Sequence, residues 1–174
     1  KLIFKMLELG LKKIKKEKLN LFEKIQDSLL EKLVRKKIKS QFGGSLKTFV
    51  SGGGALDKEV GYFLNAIGLP TLQGYGLTET SPVVSCNPID DIRIDTVGPP
   101  FKGNEVKIAT DGEILVKGEN VMLGYWNNQK ETEKVLIDGV SQFHSEDGLK
   151  LIREAASLWT TKNRGFFQTL RNMG

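Results

Sequence analysis

Residues 45–82 read S-L-K-T-F-V-S-G-G-G-A-L-D-K-E-V-G-Y-F-L-N-A-I-G-L-P-T-L-Q-G-Y-G-L-T-E-T-S-P, and the order of their signals decides the fold class. Ser45–Val50 is short, partly alternating and β-prone, and it runs directly into Ser51-Gly52-Gly53-Gly54. Asp57 is placed to cap a helix over Lys58–Ile67, which Gly68 closes and Pro70 follows. A second strand is expected over Pro70–Gln73, broken by Gly74-Tyr75-Gly76, with Leu77–Pro82 as a polar loop. A strand, a glycine loop, a helix and another strand imply a parallel-type crossover and an α/β class.

Upstream of this stretch, residues 1–42 contain no Pro and one Gly, Gly10. Apolar residues at Leu7, Leu11 and Ile14, then at Phe22, Ile25, Leu29 and Leu33, with Val34 and Ile38 following, recur in steps of three and four. That spacing predicts two amphipathic helices with lysines opposite the apolar face. Asn20, with Glu23 three residues later, is a capping-box start for the second helix, and Phe42-Gly43-Gly44 ends it. Downstream, Thr96–Pro100 is a turn-rich link. Glu105–Ala109 and Glu113–Lys117 are short alternating strands joined by Asp111-Gly112, a hairpin signal. Asn127 is expected to cap a helix over Gln129–Leu136 that ends at Asp138-Gly139. The division expected from these signals is a basic helical segment at 1–42, a core at 43–139 and a different C-terminal tail at 140–174.

Composition removes several classes of function. One cysteine, Cys86, forms no internal disulfide, and beside the single His144 it makes no Cys/His metal cluster. We assign Cys86 a packed position and His144 a solvated one. No 18-residue apolar run exists, so no transmembrane helix is expected. The net charge is +5, but residues 1–40 carry 13 Lys+Arg against 5 Asp+Glu, and the remaining 134 carry 13 against 16. The basic character is therefore local. Nucleic acid is not an expected partner, because no aromatic interleaving accompanies the charge. An anionic membrane surface is a candidate partner for the basic helices. The expected location is cytoplasmic, peripheral at the inner face of a membrane. The sequence opens on Lys1 rather than Met, and the expectation is that its natural start lies upstream.

Two loops carry candidate chemistry. In S-G-G-G-A, backbone N–H groups between strand and helix can face an anion or a planar ligand, and the missing Cβ atoms permit close approach. The loop is neither a Walker loop nor G-x-G-x-x-G, and a tight strand-to-helix turn is the competing explanation. In Q-G-Y-G-L-T-E-T-S-P, glycines on each side leave both faces of Tyr75 open for a purine to stack on. Thr78 and Glu79 offer a hydroxyl and a carboxylate, hard oxygen ligands that suit Mg²⁺ alongside substrate phosphates. The same pattern describes a surface loop with a solvated Glu.

Taken in order, F-G-G-S-L-K-T-F-V-S-G-G-G-A-L, G-L-P-T-L-Q-G-Y-G-L-T-E-T-S-P-V-V-S, T-V-G-P-P-F and G-E-I-L-V-K-G-E-N-V-M-L-G-Y-W resemble the AMP-forming long-chain acyl-CoA synthetases of the adenylate-forming superfamily. The resemblance covers roughly residues 35–139. It implies part of an adenylate-forming N-terminal domain: an amphipathic helical segment, a strand-loop-helix core and a small β-hairpin region. It also implies a ligase whose substrates are a fatty acid, ATP and coenzyme A. The carboxylate attacks ATP to give acyl-adenylate and pyrophosphate, and the CoA thiol then displaces AMP.

By the same resemblance, Glu79 holds Mg²⁺ against the phosphates and Thr78 hydrogen-bonds a phosphate oxygen. Tyr75 packs on adenine, with Gly74 and Gly76 admitting the approach. Gly52, Gly53 and Gly54 line the adenine pocket, and Gln73 adjoins the site. Gly118–Trp126 is structural in this comparison: Gly124 and Tyr125 turn the chain and Trp126 packs.

The sequence also departs from the family pattern. No Ser/Thr/Gly-rich phosphate loop and no catalytic lid lysine are recognisable, and W-F-x-T-G-D, whose Asp grips the ribose, is replaced around Phe143–Asp147. Asp147 is the position nearest to that ribose ligand, although the same Asp also aligns with the later D-G-x-L-x-I stretch. Turnover by these 174 residues alone is not expected. A non-catalytic nucleotide- or membrane-surface-binding module derived from such an enzyme is the alternative.

Overall fold

The computed structural model describes residues 1–109, 113–137 and the backbone of 140–143. The chain forms two compact units: residues 1–51, 56–72 and 89–94 make the first, and 52–55, 73–88 and 95 onward the second.

The first unit is helical. It contains α1 (Leu2–Ile14), α2 (Leu21–Leu30), a wide π-type turn over Glu31–Arg35, α3 (Lys36–Ser40), β1 (Phe49–Ser51) and α4 (Lys58–Ala66). The expected capping box is present: Asn20 Oδ1 accepts from the Glu23 N–H at 2.8 Å, and Glu23 Oε2 accepts from the Asn20 N–H at 3.0 Å. Asp57 caps α4 through the Val60 N–H. The core is Met6, Leu9, Leu30, Ile67 and Leu69. Gly10 lets α1 meet α4, because a Cβ there would run into the Ala66 backbone.

Charge locks this packing together. The five-residue π turn puts Arg35 on the side of Leu30, where a regular turn would have put Val34. Arg35 is 2% exposed and donates to Asp27 Oδ1 at 2.6 Å, and to the Met6 and Ala66 carbonyls at 3.2 Å each. Burial works to raise the Asp27 carboxyl pKa, but hydrogen bonds from Arg35 and Lys13 outweigh it and hold the pKa below the ordinary value.

The expected apolar stripe takes a different part. Of the expected run, Leu7, Val34 and Ile38 pack against the core, whereas Phe22, Ile25, Leu29 and Leu33 are exposed and the buried side carries Asp27, Leu30 and Arg35. Periodicity identified a stripe, but the burial of the Arg35–Asp27 pair selected another face.

The second unit is mostly strands: the last residues of β2 (Thr71–Tyr75), a 3₁₀ turn (Thr78–Thr80), β3 (Ser85–Cys86), β4 (Glu105–Ile108), β5 (Ile114–Lys117), α5 (Gln129–Val135), β6 (Leu136–Ile137) and β7 (Val140–Phe143). β2 pairs antiparallel with β3, with Gly74 opposite Cys86 and Tyr75 opposite Ser85. The predicted hairpin forms, Val106 opposite Val116 and Ile108 opposite Ile114, in a sheet of order β4-β5-β7-β6. Its inward side chains Val106, Ile114 and Val116 pack with Val84.

Three boundaries differ from expectation. Gly74 and Tyr75 continue β2 rather than breaking it, because β3 supplies ladder partners. Asn128, not Asn127, caps α5: its Oδ1 accepts from the Glu131 N–H, while Asn127 sits in the turn at φ +51°. β1 begins later than Ser45–Val50 implied. The Asp111-Gly112 turn, the Asp138-Gly139 end, His144 and Asp147 lie outside the described residues.

Candidate functional site

The candidate residues that can be placed all lie in the second unit. Gly52, Gly53 and Gly54 form an exposed loop in which Gly53 has φ +80°. Ideal Cβ positions at Gly53 and Gly54 meet nothing within 4 Å, and that of Gly52 meets only the Gly74 carbonyl at 3.7 Å. The loop therefore lies beside the end of β2 with its main chain open, as a nucleotide's approach requires.

β2 hands over to an acidic turn built by its own side chains. Thr80 is fully buried, and its Oγ1 accepts from the Leu77 N–H at 2.9 Å and donates to the Leu77 carbonyl at 3.0 Å. That closure leaves Thr78 exposed and Glu79 half-exposed on the outer side. The turn is bracketed by residues forty positions on. Asn120 Nδ2 donates to the Thr80 and Val83 carbonyls at 2.9 and 3.0 Å, and the Met122 N–H donates to the Glu79 carbonyl at 2.8 Å. The Tyr125 hydroxyl donates to Glu79 Oε1 at 2.7 Å. That hydrogen bond favours the neutral phenol and raises the Tyr125 pKa, with burial and the charges of Glu79 and Glu131 adding to it.

Several expected details change. Tyr75 is half-buried and packs against the Val84, Val106, Ile114 and Val116 cluster, so its ring is not open on both faces. Gly76 is required by packing, since a Cβ there would collide with the Pro82 carbonyl and the Val83 backbone. Gly74 serves the ladder, with the Ser85 carbonyl 3.2 Å from its Cβ position. Gln73 is 3% exposed, and its carbonyl accepts from the Asn87 N–H. Trp126 was expected to pack but is 92% exposed. Cys86 is half-buried, and burial pushes its thiol pKa up. Tyr125 and Asn120, unmarked as site residues in the sequence, are what fix Glu79 and its turn. Only the G-Y-W text near them gave a signal, and it was read as a turn.

Among the described residues no group of three His, Cys, Asp or Glu side chains gathers to hold a metal. Glu79 supplies one carboxylate with an exposed hydroxyl beside it, the donor set of a Mg²⁺ ion that takes its other ligands from phosphates and water.

An open glycine loop thus lies beside the end of β2 and is followed by a Thr-Glu turn held by Asn120, Met122 and Tyr125. The model of the AMP-binding enzyme family matches residues 6–126, and the chain belongs to that family. It is 41% identical over 112 residues to the long-chain-fatty-acid–CoA ligase FadD15 of Mycobacterium bovis, covering 64% of this chain and 19% of the relative. It is 42% identical over 121 residues to the probable acyl-activating enzyme 16, chloroplastic, of Arabidopsis thaliana, covering 63% and 17%.

Among solved structures, the anthranilate CoA ligase AuaEII in complex with anthranoyl-AMP matches with a TM-score of 0.54 at 26% identity, over 66% of this chain and 26% of that one. The o-succinylbenzoate CoA synthetase MenE of Bacillus subtilis, in complex with ATP and magnesium ion, matches with a TM-score of 0.51 at 28% identity, over 55% and 22%. The chain spans about a fifth of the length of the curated relatives it matches.

Proposed function

We propose that this chain is part of a long-chain fatty acid–CoA ligase and supplies the adenine- and metal-facing part of its adenylation site. The observation that carries this reading is the Glu79 turn, pinned at the end of β2 within residues 6–126, the span matched by the AMP-binding enzyme model. A carboxylate is a poor electrophile, and adenylation gives it a leaving group. The chain's own residues would contribute position and charge. In this reading the Gly52–Gly54 loop admits adenine and Thr78 donates to a phosphate oxygen. Glu79 would hold Mg²⁺, which neutralises charge on the phosphates when bound. Tyr75, half-buried, is proposed to adjoin the adenine, and Asp147 is proposed for the ribose. The division proposed from the sequence is a basic segment at 1–42, a core at 43–139 and a diverged tail at 140–174; in the fold, the basic segment shares its core with Ile67 and Leu69. Matches to acid-activating ligases favour this over a non-catalytic module.

The test is equilibrium binding of ATP to the 174-residue chain with Mg²⁺ and with chelator. Glu79→Gln should remove the Mg²⁺-dependent gain in affinity and leave chelator-condition binding unchanged. Equal Mg²⁺ dependence in both proteins would refute the metal role. Complete ATP-dependent acyl-CoA formation is not expected from the chain alone.

For the basic arm we propose contact with an anionic lipid surface. The supporting observation is the exposed Phe22, Ile25, Leu29 and Leu33 stripe, accompanied by exposed Lys24, Lys32 and Lys36. The neighbouring acids Glu23, Asp27 and Glu31 are occupied by Lys12, Lys13, Arg35 and Lys39. Salt-sensitive pelleting with phosphatidylserine vesicles, lost in a Lys24→Glu/Lys32→Glu variant, is the expected outcome. Equal binding by the variant sinks the idea. No described helix is long and apolar enough to cross a membrane.

A further inference from the structure

We propose that Tyr125 is a positioning residue for the metal–nucleotide complex: its neutral hydroxyl holds Oε1 of Glu79 and leaves Oε2 as the cation's ligand atom. The proposal rests on the reading of Glu79 as the metal-facing carboxylate.

Tyr125 and Glu79 are 46 residues apart, yet both are anchored through their backbones. The Tyr125 N–H donates to Thr132 Oγ1 at 2.9 Å, and Thr132 Oγ1 donates to the Asn128 carbonyl at 2.9 Å. Gly124, at φ +146°, leaves room for the Thr132 side chain beneath the turn. The root of the tyrosine is thereby fixed to α5, although its ring lies at the surface. Glu79 is held from the other side by the Met122 N–H on its carbonyl. The large neighbours Leu123 and Trp126 are almost wholly exposed, so within residues 123–126 the side-chain contact with Glu79 is made by Tyr125.

The choice of donor has chemical consequences. A free Glu side chain samples many rotamers, and a ligand that captures it must order it. A hydrogen bond on one carboxylate oxygen meets that ordering cost before the cation arrives, as partners of metal-binding carboxylates do elsewhere. A lysine or arginine here would also neutralise the carboxylate and compete with the cation. A phenol orients the group without taking its charge. Among the described residues, Tyr125 is the side-chain donor to Glu79.

The experiment compares the full 174-residue chain with Tyr125→Phe and Glu79→Gln, using ATP with Mg²⁺ or with chelator, and 3-fluorotyrosine-labelled protein with Mn²⁺ and ATP. Tyr125→Phe should weaken Mg²⁺-dependent ATP binding roughly fivefold, the loss expected for a partly exposed hydrogen bond to a charge, and leave binding in chelator unchanged. The ¹⁹F resonance missing from Tyr125→Phe should broaden with Mn²⁺ and ATP in the wild-type sequence and stay sharp in Glu79→Gln. Wild-type Mg²⁺ dependence in Tyr125→Phe, with Glu79→Gln impaired, overturns the positioning role alone. An equal loss in chelator and Mg²⁺ overturns it too, since that marks a general structural defect. Wild-type Mg²⁺ dependence in Glu79→Gln overturns the underlying functional reading.

Discussion

Arg35 and Asn120 perform the same task in the two units by opposite means. Each reaches across its unit and ties segments far apart in sequence. Arg35 does so as a buried cation that must be matched by Asp27 and by two backbone carbonyls. Asn120 does so as a neutral amide that donates to two carbonyls of the acidic turn. Asn87 repeats the neutral pattern, donating to the Thr96 carbonyl at 2.5 Å, with Thr96 fully buried. Both units use amides and close-packed glycines, Asn65 and Gly10 in the first and Asn120 and Gly76 in the second, but the first adds a buried ion pair. A proposed nucleotide site is well served by that division. Structural cations near Glu79 would compete with the metal, and the described structure ties its turn with none.

The sharpest way to break this comparison is to add one methyl group in the second unit. Gly76→Ala should cost about 3 kcal/mol or more, because its Cβ meets backbone that cannot move aside. Gly54→Ala, in open space and without a positive φ, should change stability by less than about 1 kcal/mol. It should nevertheless weaken ATP binding if the loop lines the adenine. Thermal melts and nucleotide titrations of the two variants separate glycines needed for packing from glycines needed for a ligand. Similar melting temperatures would undo that separation.

A comparable loss is expected in the first unit when its charge is left unmatched. Arg35→Met leaves Asp27 with Lys13 as its remaining cationic partner and the Met6 and Ala66 carbonyls without their donor, and should cost about 2–4 kcal/mol by denaturant unfolding. Asp27 also gives a pH signature. Its folded pKa lies below the unfolded value near 3.9, so its stabilisation is present above about pH 4 and disappears as pH falls through the folded pKa. Asp27→Asn should be less stable at neutral pH and lose less on acidification. An acid transition as steep as the wild type's would show that other carboxylates dominate. Asn20→Ala should cost about 1 kcal/mol, the ordinary worth of an N-cap. No change would mean the packing of α2 makes its cap redundant.

How much could be read beforehand depended on the range of the interaction. The capping box at Asn20 and Glu23, the Asp57 cap and the hairpin strands were legible because each is decided within a few residues. Family membership was legible for the same reason, since its motifs are local strings. β3 was missed: two residues become a strand only when Gly74 and Tyr75 lie alongside them. The burial of α2 was not legible, because spacing records an apolar stripe and cannot say which face meets the core. The packing expected of Trp126 came from the family resemblance of Gly118–Trp126, and the described fold leaves the side chain 92% exposed.

The sequence by itself therefore determined the helices, the Asn20 and Asp57 caps, the hairpin strands and the family, all of which are written in neighbouring residues. Tertiary structure decided that Arg35 faces inward and that Gly76 is needed for packing. It also decided that Tyr125, 46 residues away, holds the carboxylate of Glu79. Those outcomes depend on which backbones come within a few ångströms of each other, and only the folded chain fixes that distance.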